Sequence, residues 1–332
     1  VRTAHRFDFV ERCAMRTLRV ALLSLTLTAI FGSVAAQPYP TRPIRAVVPF
    51  PGGGGPMNVA GRVVQLMNAP LGQPIVLDNR PGGDGVIGAD VVIKSNPDGH
   101  TLFVGSNSAI AGVPHLRLKP PYDPLTAFAP VGFIGYITFM LNVHPSLPAK
   151  SVQELIEQVR AAPGKWNYAT GNVSGIVMMA TFAKTHGLDM LHVPYKGDVA
   201  ALSDFSAGRV QLMFSATSFL GLIRDGRLRA LAVTLPKRSP LLPEVPTMEE
   251  AGVAPILLQV WAALFVPART PDAVITRLNR ELINVVRGEG RAMLEREGVV
   301  AQEMTPAQLA AHVKSQFDAW GRAIRAAGIP RD

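Results

Sequence analysis

The sequence predicts an α/β protein made of two doubly wound units, on three observations. Strand-like and helix-like segments alternate from residue 44 onward, a Pro-rich connection splits that alternation into two sets, and the chain ends in helix-forming sequence. A chain of 332 residues, 48% hydrophobic and 17% charged, has enough apolar material for two domains with substantial cores. Its 30 glycines and 28 prolines suit a fold rich in turns and exclude a coiled coil or fibrous repeat.

In the first set, residues 44–50 read as a buried strand. Residues 58–67 read as a helix with Val59, Val63, Leu66 and Met67 on one side, and 75–77 as a second strand. A short helix over 87–94 and a strand over 101–105 complete the unit. Pro114, Pro120, Pro121, Pro124 and Pro130 mark the connection, followed by strands at 131–134 and 138–143. The second set opens with a capping box, Ser151 and Glu154, ahead of Val152, Leu155, Ile156 and Val159. Its strands fall at 166–169, 191–193, 210–214 and 228–234, with helices between them. Thr270 and Pro271 start a helix through Val274, Leu278, Leu282 and Val285. Thr305, Pro306 and Gln308 start the last one, with Leu309, Val313, Phe317, Trp320 and Ile324 on one face. These terminal helices are expected to return to the first unit.

At the N-terminus, Arg16 and Arg19 precede an apolar run over 20–31 and then the small residues Gly32, Ser33, Ala35 and Ala36. That order is what a secretory signal requires, and the run is short for the ~30 Å of hydrocarbon that a membrane anchor must span. The expectation is a leader over 1–36, cleaved near Ala36, and export of the chain from Gln37 onward, with Met15 as the true initiator. Cys13 falls in this leader, so no thiol is left for a disulfide or a nucleophile. The formal charge is +9, and from Gln37 onward 28 basic residues stand against 22 acidic ones without a like-charge block. With only 7% aromatic residues, this pattern argues against a nucleic-acid partner.

Candidate chemistry concentrates at strand ends. Pro49-Phe50-Pro51 and the glycines 52–55 lie between a strand and a helix, where free backbone N–H groups can meet an anion. The loop lacks the Lys and Ser/Thr of a P-loop and does not read G-x-G-x-x-G, so nucleotide binding has little support. Residues 79–85 and Ser106-Asn107-Ser108 form two further loops at the carboxyl ends of strands, where open α/β sheets bind ligands. In the second unit, Thr170-Gly171-Asn172-Val173-Ser174-Gly175 offers hydroxyls and amides to the other end of the same ligand. Ser174 sits in G-N-V-S-G rather than G-x-S-x-G, which favours a capping or binding serine over a nucleophile. The histidines show no H-x-H or H-E-x-x-H spacing, so no metal site and no cofactor is expected.

Several segments taken together and in order resemble the substrate-binding proteins of tripartite tricarboxylate transporters, the Bug/TctC family of periplasmic receptors. They are Tyr39-Pro40-Thr41-Arg42-Pro43-Ile44, Val48-Pro49-Phe50-Pro51, Asn79-Arg80-Pro81-Gly82 and Asn96-Pro97-Asp98-Gly99. Further on come His192-Val193-Pro194-Tyr195-Lys196-Gly197, Leu228-Arg229-Ala230-Leu231-Ala232-Val233-Thr234 and Lys237-Arg238-Ser239-Pro240. The resemblance implies a type II periplasmic-binding-protein fold with two α/β lobes and a ligand cleft between them. Lobe 1 would comprise 37–139 and 262–332, and lobe 2 would comprise 140–261. It implies a non-enzymatic periplasmic receptor that captures a small carboxylate and delivers it to the transporter's membrane subunits; a monomer is the simplest default. The pocket it implies consists of Phe50, Gly54, Gly55, Asn58, Ser106, Asn107, Ser108, Thr170, Gly171, Ser174, Gly175, Tyr195 and Ser215.

Two departures bear on the ligand. Where family members resembling this chain carry an aspartate after the first glycine loop, Asn58 stands here, and where many carry one after Met-Phe, Ser215 stands here. With both counter-ions gone, the expected ligand has no ammonium group: a di- or tricarboxylate, a hydroxy acid or an aromatic acid. Two alternatives stay open, a secreted hydrolase using Ser174 and a receptor that presents its ligand to a signalling sensor.

Overall fold

Two separate sheets organise the chain. The structure, a computed structural model, describes residues 39–50, 56–256 and 258–331. The expected leader and its cleavage point lie outside the described residues. Among the described residues, no helix is long and apolar enough to cross a membrane.

The six-stranded sheet contains β1 (Ile44–Val48), β2 (Ile75–Asn79), β3 (Thr101–Ser106), β4 (Phe128–Ile137), β10 (Trp261–Pro267) and β11 (Val299–Ala301), in the order β11-β4-β10-β3-β1-β2. The five-stranded sheet contains β5 (Met140–Val143), β6 (Asn167–Thr170), β7 (Leu191–Pro194), β8 (Leu212–Ser215) and β9 (Arg229–Val233), in the order β7-β6-β8-β5-β9. Each sheet therefore has three parallel strands in the spatial order second, first, third, and then a strand that arrives from the other sheet. The arriving strands, β10 and β5, enter from the opposite end and pair antiparallel on both sides. The alternating segments supply the parallel strands of each sheet, and the strands that cross between the lobes make both sheets mixed, because they enter in the direction opposite to that of a βαβ crossover.

The apolar runs explain the strands. Ile44, Ala46, Val47 and Val48 are fully buried, as a strand covered on both faces requires. Helix α1 (Pro56–Gln65) covers this strand with Val59, Ala60, Val63 and Val64, and α2 (Val86–Ile93) contributes Ala89 and Val92. The two strands expected at 131–134 and 138–143 are β4 and β5, which lie in different sheets, with Thr138 and Phe139 spanning the step.

Helix caps follow the sequence with one shift. Ahead of α3 (Val152–Ala161), Ser151 Oγ accepts the Glu154 N–H at 3.1 Å, but the Glu154 carboxylate takes the Lys150 N–H at 2.8 Å instead of that of Ser151. Only half of the expected capping box forms, because the carboxylate satisfies a donor one residue further out. In the second lobe, α4 (Val173–His186) follows β6. The helix begun at Thr270 is α5 (Asp272–Arg287), which Gly288 separates from α6 (Glu289–Arg296). Asn279 on α5 donates to Val131 O at 2.8 Å and Met304 O at 3.0 Å, which ties this helix to β4.

The last helix, α7 (Pro306–Ala327), has the full box: Thr305 Oγ1 accepts the Gln308 N–H and Gln308 Oε1 accepts the Thr305 N–H. Leu309, Val313, Trp320 and Ile324 are buried as expected. Phe317 is only half-buried, its ring centroid 4.2 Å from that of His115 at a 43° tilt, while Gln316 and Gly321 take the inward positions beside it. The helix returns to β4 and also packs on α4 of the other lobe.

Removing the α7 cap should be measurable. Thr305→Ala is expected to lower stability by about 1 kcal/mol, read as a lower urea midpoint with an unchanged slope.

Candidate ligand site at the strand ends

Parallel strands direct their carboxyl ends, and the loops that follow them, to one edge of a sheet. In this chain those two edges meet. From the six-stranded sheet come Phe50 after β1, residues 79–85 after β2 and Ser106-Asn107-Ser108 at the end of β3. From the five-stranded sheet come residues 170–175 after β6, 195–198 after β7 and 215–217 after β8.

The link between the edges is specific. Asn107 Nδ2 donates to Ser174 Oγ at 2.9 Å, and Asn107 Oδ1 accepts the Trp261 N–H at 3.3 Å. Asn107, Ser108, Thr170 and Ser174 are all buried. Ser106 is buried too, and its hydroxyl has no partner among the described residues. Ser108 opens a π-helical turn (Ser108–Gly112) whose Ala109 carbonyl accepts the Tyr122 hydroxyl at 2.8 Å. A π turn at this position was not legible in the sequence, although such turns favour functional sites.

Helix α4 presents its N-terminus to this junction. Asn172 caps it, its Oδ1 accepting the Gly175 N–H at 2.9 Å, and its Nδ2 donates to Asp198 Oδ1 at 2.7 Å. The first N–H of the helix, on Val173, donates to Asp84 Oδ1 at 3.3 Å, so a carboxylate from the other lobe already rests on this positive helix end. Gly171 is required by close approach: a Cβ there would sit 2.3 Å from the Asp198 backbone nitrogen. Thr170 Oγ1 lies 2.7 Å from His192 Nε2, and the Thr170 carbonyl accepts the Tyr195 N–H at 2.8 Å.

The remaining expected residues are placed less uniformly. Asn58 Oδ1 accepts Asn79 Nδ2 at 3.1 Å, and the same amide group donates to Phe50 O at 2.9 Å, so these three form one cluster. Gly54 and Gly55 lie outside the described residues. Ser215 is fully buried and its hydroxyl accepts Asn142 Nδ2 at 2.9 Å, inside the sheet. Tyr195 directs its hydroxyl to Asp204 at 2.6 Å. Desolvation and this carboxylate push its pKa up to about 12, and Arg209 holds the other side of Asp204. Its backbone, and not its hydroxyl, is what joins the junction. An open groove of about 410 Å³ lined by Leu202, Ser203, Ser206, Ala207, Leu222 and Arg227 is formed by short helices, and none of the expected residues lines it.

Sequence reasoning missed Asp84 and Asp198. Asp198 is raised to about 7, first by desolvation and also by the nearby Asp84, against hydrogen bonds from Asn172 and the Ala216 N–H. Its residue as a whole is only half-buried. Asp84 is likewise raised by burial, opposed by the Val173 N–H and by Arg117. The signal available in sequence was the position of each, one acid in a Gly-rich loop after a strand, but nothing there showed that the two loops converge. Among the described residues, no group of three or more His, Cys, Asp or Glu is arranged to hold a metal ion.

Two predictions follow from this geometry. A carboxyl group whose pKa is raised by folding adds most stability below its ordinary range near 3.8, and that contribution is lost as the pH rises through about 7. Asp198→Asn should therefore stabilise the protein at pH 8, by roughly 1–3 kcal/mol, and change little at pH 4 in thermal denaturation. Gly171→Ala should destabilise at both pH values by roughly 1–3 kcal/mol, because its Cβ collides with backbone.

Comparison with known proteins agrees with this architecture. A family profile described as tripartite tricarboxylate transporter family receptor matches residues 59–329. Protein BugT of Bordetella pertussis is 33% identical over 94% of this chain and 98% of its own length. A solved structure of an R. palustris protein with adipate superimposes with a TM-score of 0.82 at 32% identity, covering 89% of this chain and all of that one. MatC from Rhodopseudomonas palustris with bound malate gives 0.78 at 27% identity, covering 86% of this chain and all of that one. The two-lobed α/β architecture is thus that of the TctC-type periplasmic binding proteins, and the chain belongs to the tripartite tricarboxylate transporter receptor family.

Proposed function

We propose that this protein is a periplasmic receptor that closes its lobes on a small carboxylate and delivers it to the membrane subunits of a tripartite tricarboxylate-type transporter. The observation that carries the reading is the meeting of strand-end loops from both sheets at the N-terminus of α4, with the Asn107–Ser174 bond joining the two lobes there. Backbone N–H groups at a helix end and short polar side chains hold a carboxylate without a cation or a metal. The relatives solved with adipate and with malate support a carboxylate as the ligand class.

The lobes are taken as 37–139 with 262–332, and 140–261. Within the pocket, Ser106, Asn107, Ser108, Thr170, Gly171, Ser174 and Gly175 would contact the ligand directly. Phe50 and Asn58 would close its far end; Gly54 and Gly55, expected with them, lie outside the described residues. Tyr195 and Ser215 would act through backbone and packing, since their hydroxyls are committed to Asp204 and Asn142.

The hydrolase reading requires a base beside Ser174, and the group bonded to that hydroxyl is the Asn107 amide, a donor that does not take its proton. His192 is engaged with Thr170 instead. The expectation of a ligand without an ammonium group rested on the missing carboxylates at 58 and 215. Asp84 and Asp198 supply carboxylates at the same junction, so amino acids belong in the ligand screen alongside di- and tricarboxylates, hydroxy acids and aromatic acids.

A thermal-shift screen of these acids, confirmed by calorimetry, tests the proposal. A ligand at 100 times its Kd should add about 2.7 kcal/mol of stability. Silence across all carboxylates would overturn the receptor reading. Ser174→Ala should weaken binding of the identified acid by about tenfold, the loss of roughly one hydrogen bond, without abolishing it.

A further inference from the structure

Helix α4 has a cap of its own, since Asn172 takes the Gly175 N–H. A second acceptor reaches the same helix end from the other lobe: Asp84 Oδ1 accepts the Val173 N–H at 3.3 Å, across 89 residues of sequence. The loop that delivers this carboxylate is shaped to project it. Gly82, Gly83, Asp84 and Gly85 all have positive φ, at 125°, 56°, 55° and 100°, and Asp84 is the one non-glycine residue of this kind among the described residues. Aspartate is among the few side chains that tolerate such a backbone, and positions like this persist where surrounding contacts hold them. Those contacts are present. A Cβ on Gly85 would lie 2.9 Å from Ala109 Cβ and 3.4 Å from Pro49 Cβ, so the loop rests directly on the π turn and on the segment after β1 and has no room to sink further into lobe 1.

The target is held as closely. A Cβ on Gly112 would lie 2.4 Å from Val173 Cγ1, so lobe 1 meets Val173 twice, at its side chain through the π turn and at its backbone N–H through Asp84. Burial disfavours a charge on Asp84, while the Val173 N–H and Arg117 favour one. A carboxylate on the first N–H of a helix is also the arrangement that a bound acid would make there.

We propose that Asp84 is an internal stand-in for the ligand's carboxylate: it occupies the first N–H of α4 and clasps the lobes together in the ligand-free chain, so that an incoming acid must displace it. The proposal rests on the receptor reading, because it takes this helix end as the place where the acid docks. The Val173 N–H serves one acceptor at full strength, and a second carboxylate beside Asp84 would meet a like charge. Two consequences follow for the receptor. Ligand-free molecules are drawn toward closed lobes, and clasped molecules do not accept the acid, which weakens the apparent affinity in proportion to the fraction left competent. The Asn107–Ser174 bond differs in kind, since both of its partners are neutral and it leaves the Val173 N–H untouched.

Small-angle scattering of the ligand-free protein tests the clasp by comparing wild type with Asp84→Gly and Asp84→Asn, with circular dichroism to verify folding. Glycine adopts the φ of 55° without strain, so a change in that variant reports the lost carboxylate. Asp84→Gly should be expanded relative to wild type. Asp84→Asn keeps an acceptor and suits positive φ, and should fall between the two. Calorimetric titration with adipate and with malate gives the second reading: an acid that wild type binds should be bound about tenfold more tightly by Asp84→Gly. Equal dimensions for wild type and Asp84→Gly would overturn the clasp, and equal or weaker binding of that acid by Asp84→Gly would overturn the displacement. No ligand enters the scattering, so failure there is distinct from failure of the carboxylate screen.

Discussion

The first turn of α4 is the constraint on which the site depends. A helix N-terminus has backbone N–H groups with no partner inside the helix, and a buried one needs partners from elsewhere. Here Asn172 serves the Gly175 N–H, and Asp84 serves that of Val173. Because Asp84 belongs to the other lobe, satisfying this helix end is inseparable from bringing the lobes together. A helix end of this kind also suits an anion, which is why the proposed carboxylate site is placed beside the lobe contact.

Everything that positions this turn follows from strand direction. Three parallel strands in each sheet send their following loops to one edge, and β5 and β10 carry the chain between the sheets so that the two edges meet. Helix α7 extends the arrangement, since it packs on α4 as well as on its own sheet through a face that includes the fully buried Trp320. The close approaches are set by glycine: Gly171 admits the Asp198 backbone and Gly112 admits Val173, and neither place has room for a Cβ.

Most of the fold was legible because it is written in local patterns. The apolar run at 44–48, the Thr305–Gln308 box and the periodicity of α7 each specify an element within a few residues of its observed bounds. The parts that were not legible depend on residues distant in sequence. Strand direction in the mixed sheets depends on where a crossing chain enters. The inward turn of Ser215 depends on Asn142, 73 residues away, and the engagement of the Tyr195 hydroxyl depends on Asp204 on a neighbouring helix. Motif position identified Asn107 and Ser174 as residues that follow strands, but their mutual bond spans 67 residues and two sheets.

Asp84 and Asp198 show why charge counted along a sequence is a poor guide to charge at a site. Asn58 and Ser215 read as the loss of two negative charges, which pointed to a pocket without a counter-ion. Folding brings two other carboxylates to the same junction from loops 114 residues apart in number, and burial then shifts the proton balance of Asp198 toward neutrality. A helix end that favours anions thus stands beside acids that disfavour them, and this balance arises only where loops distant in sequence are folded against each other.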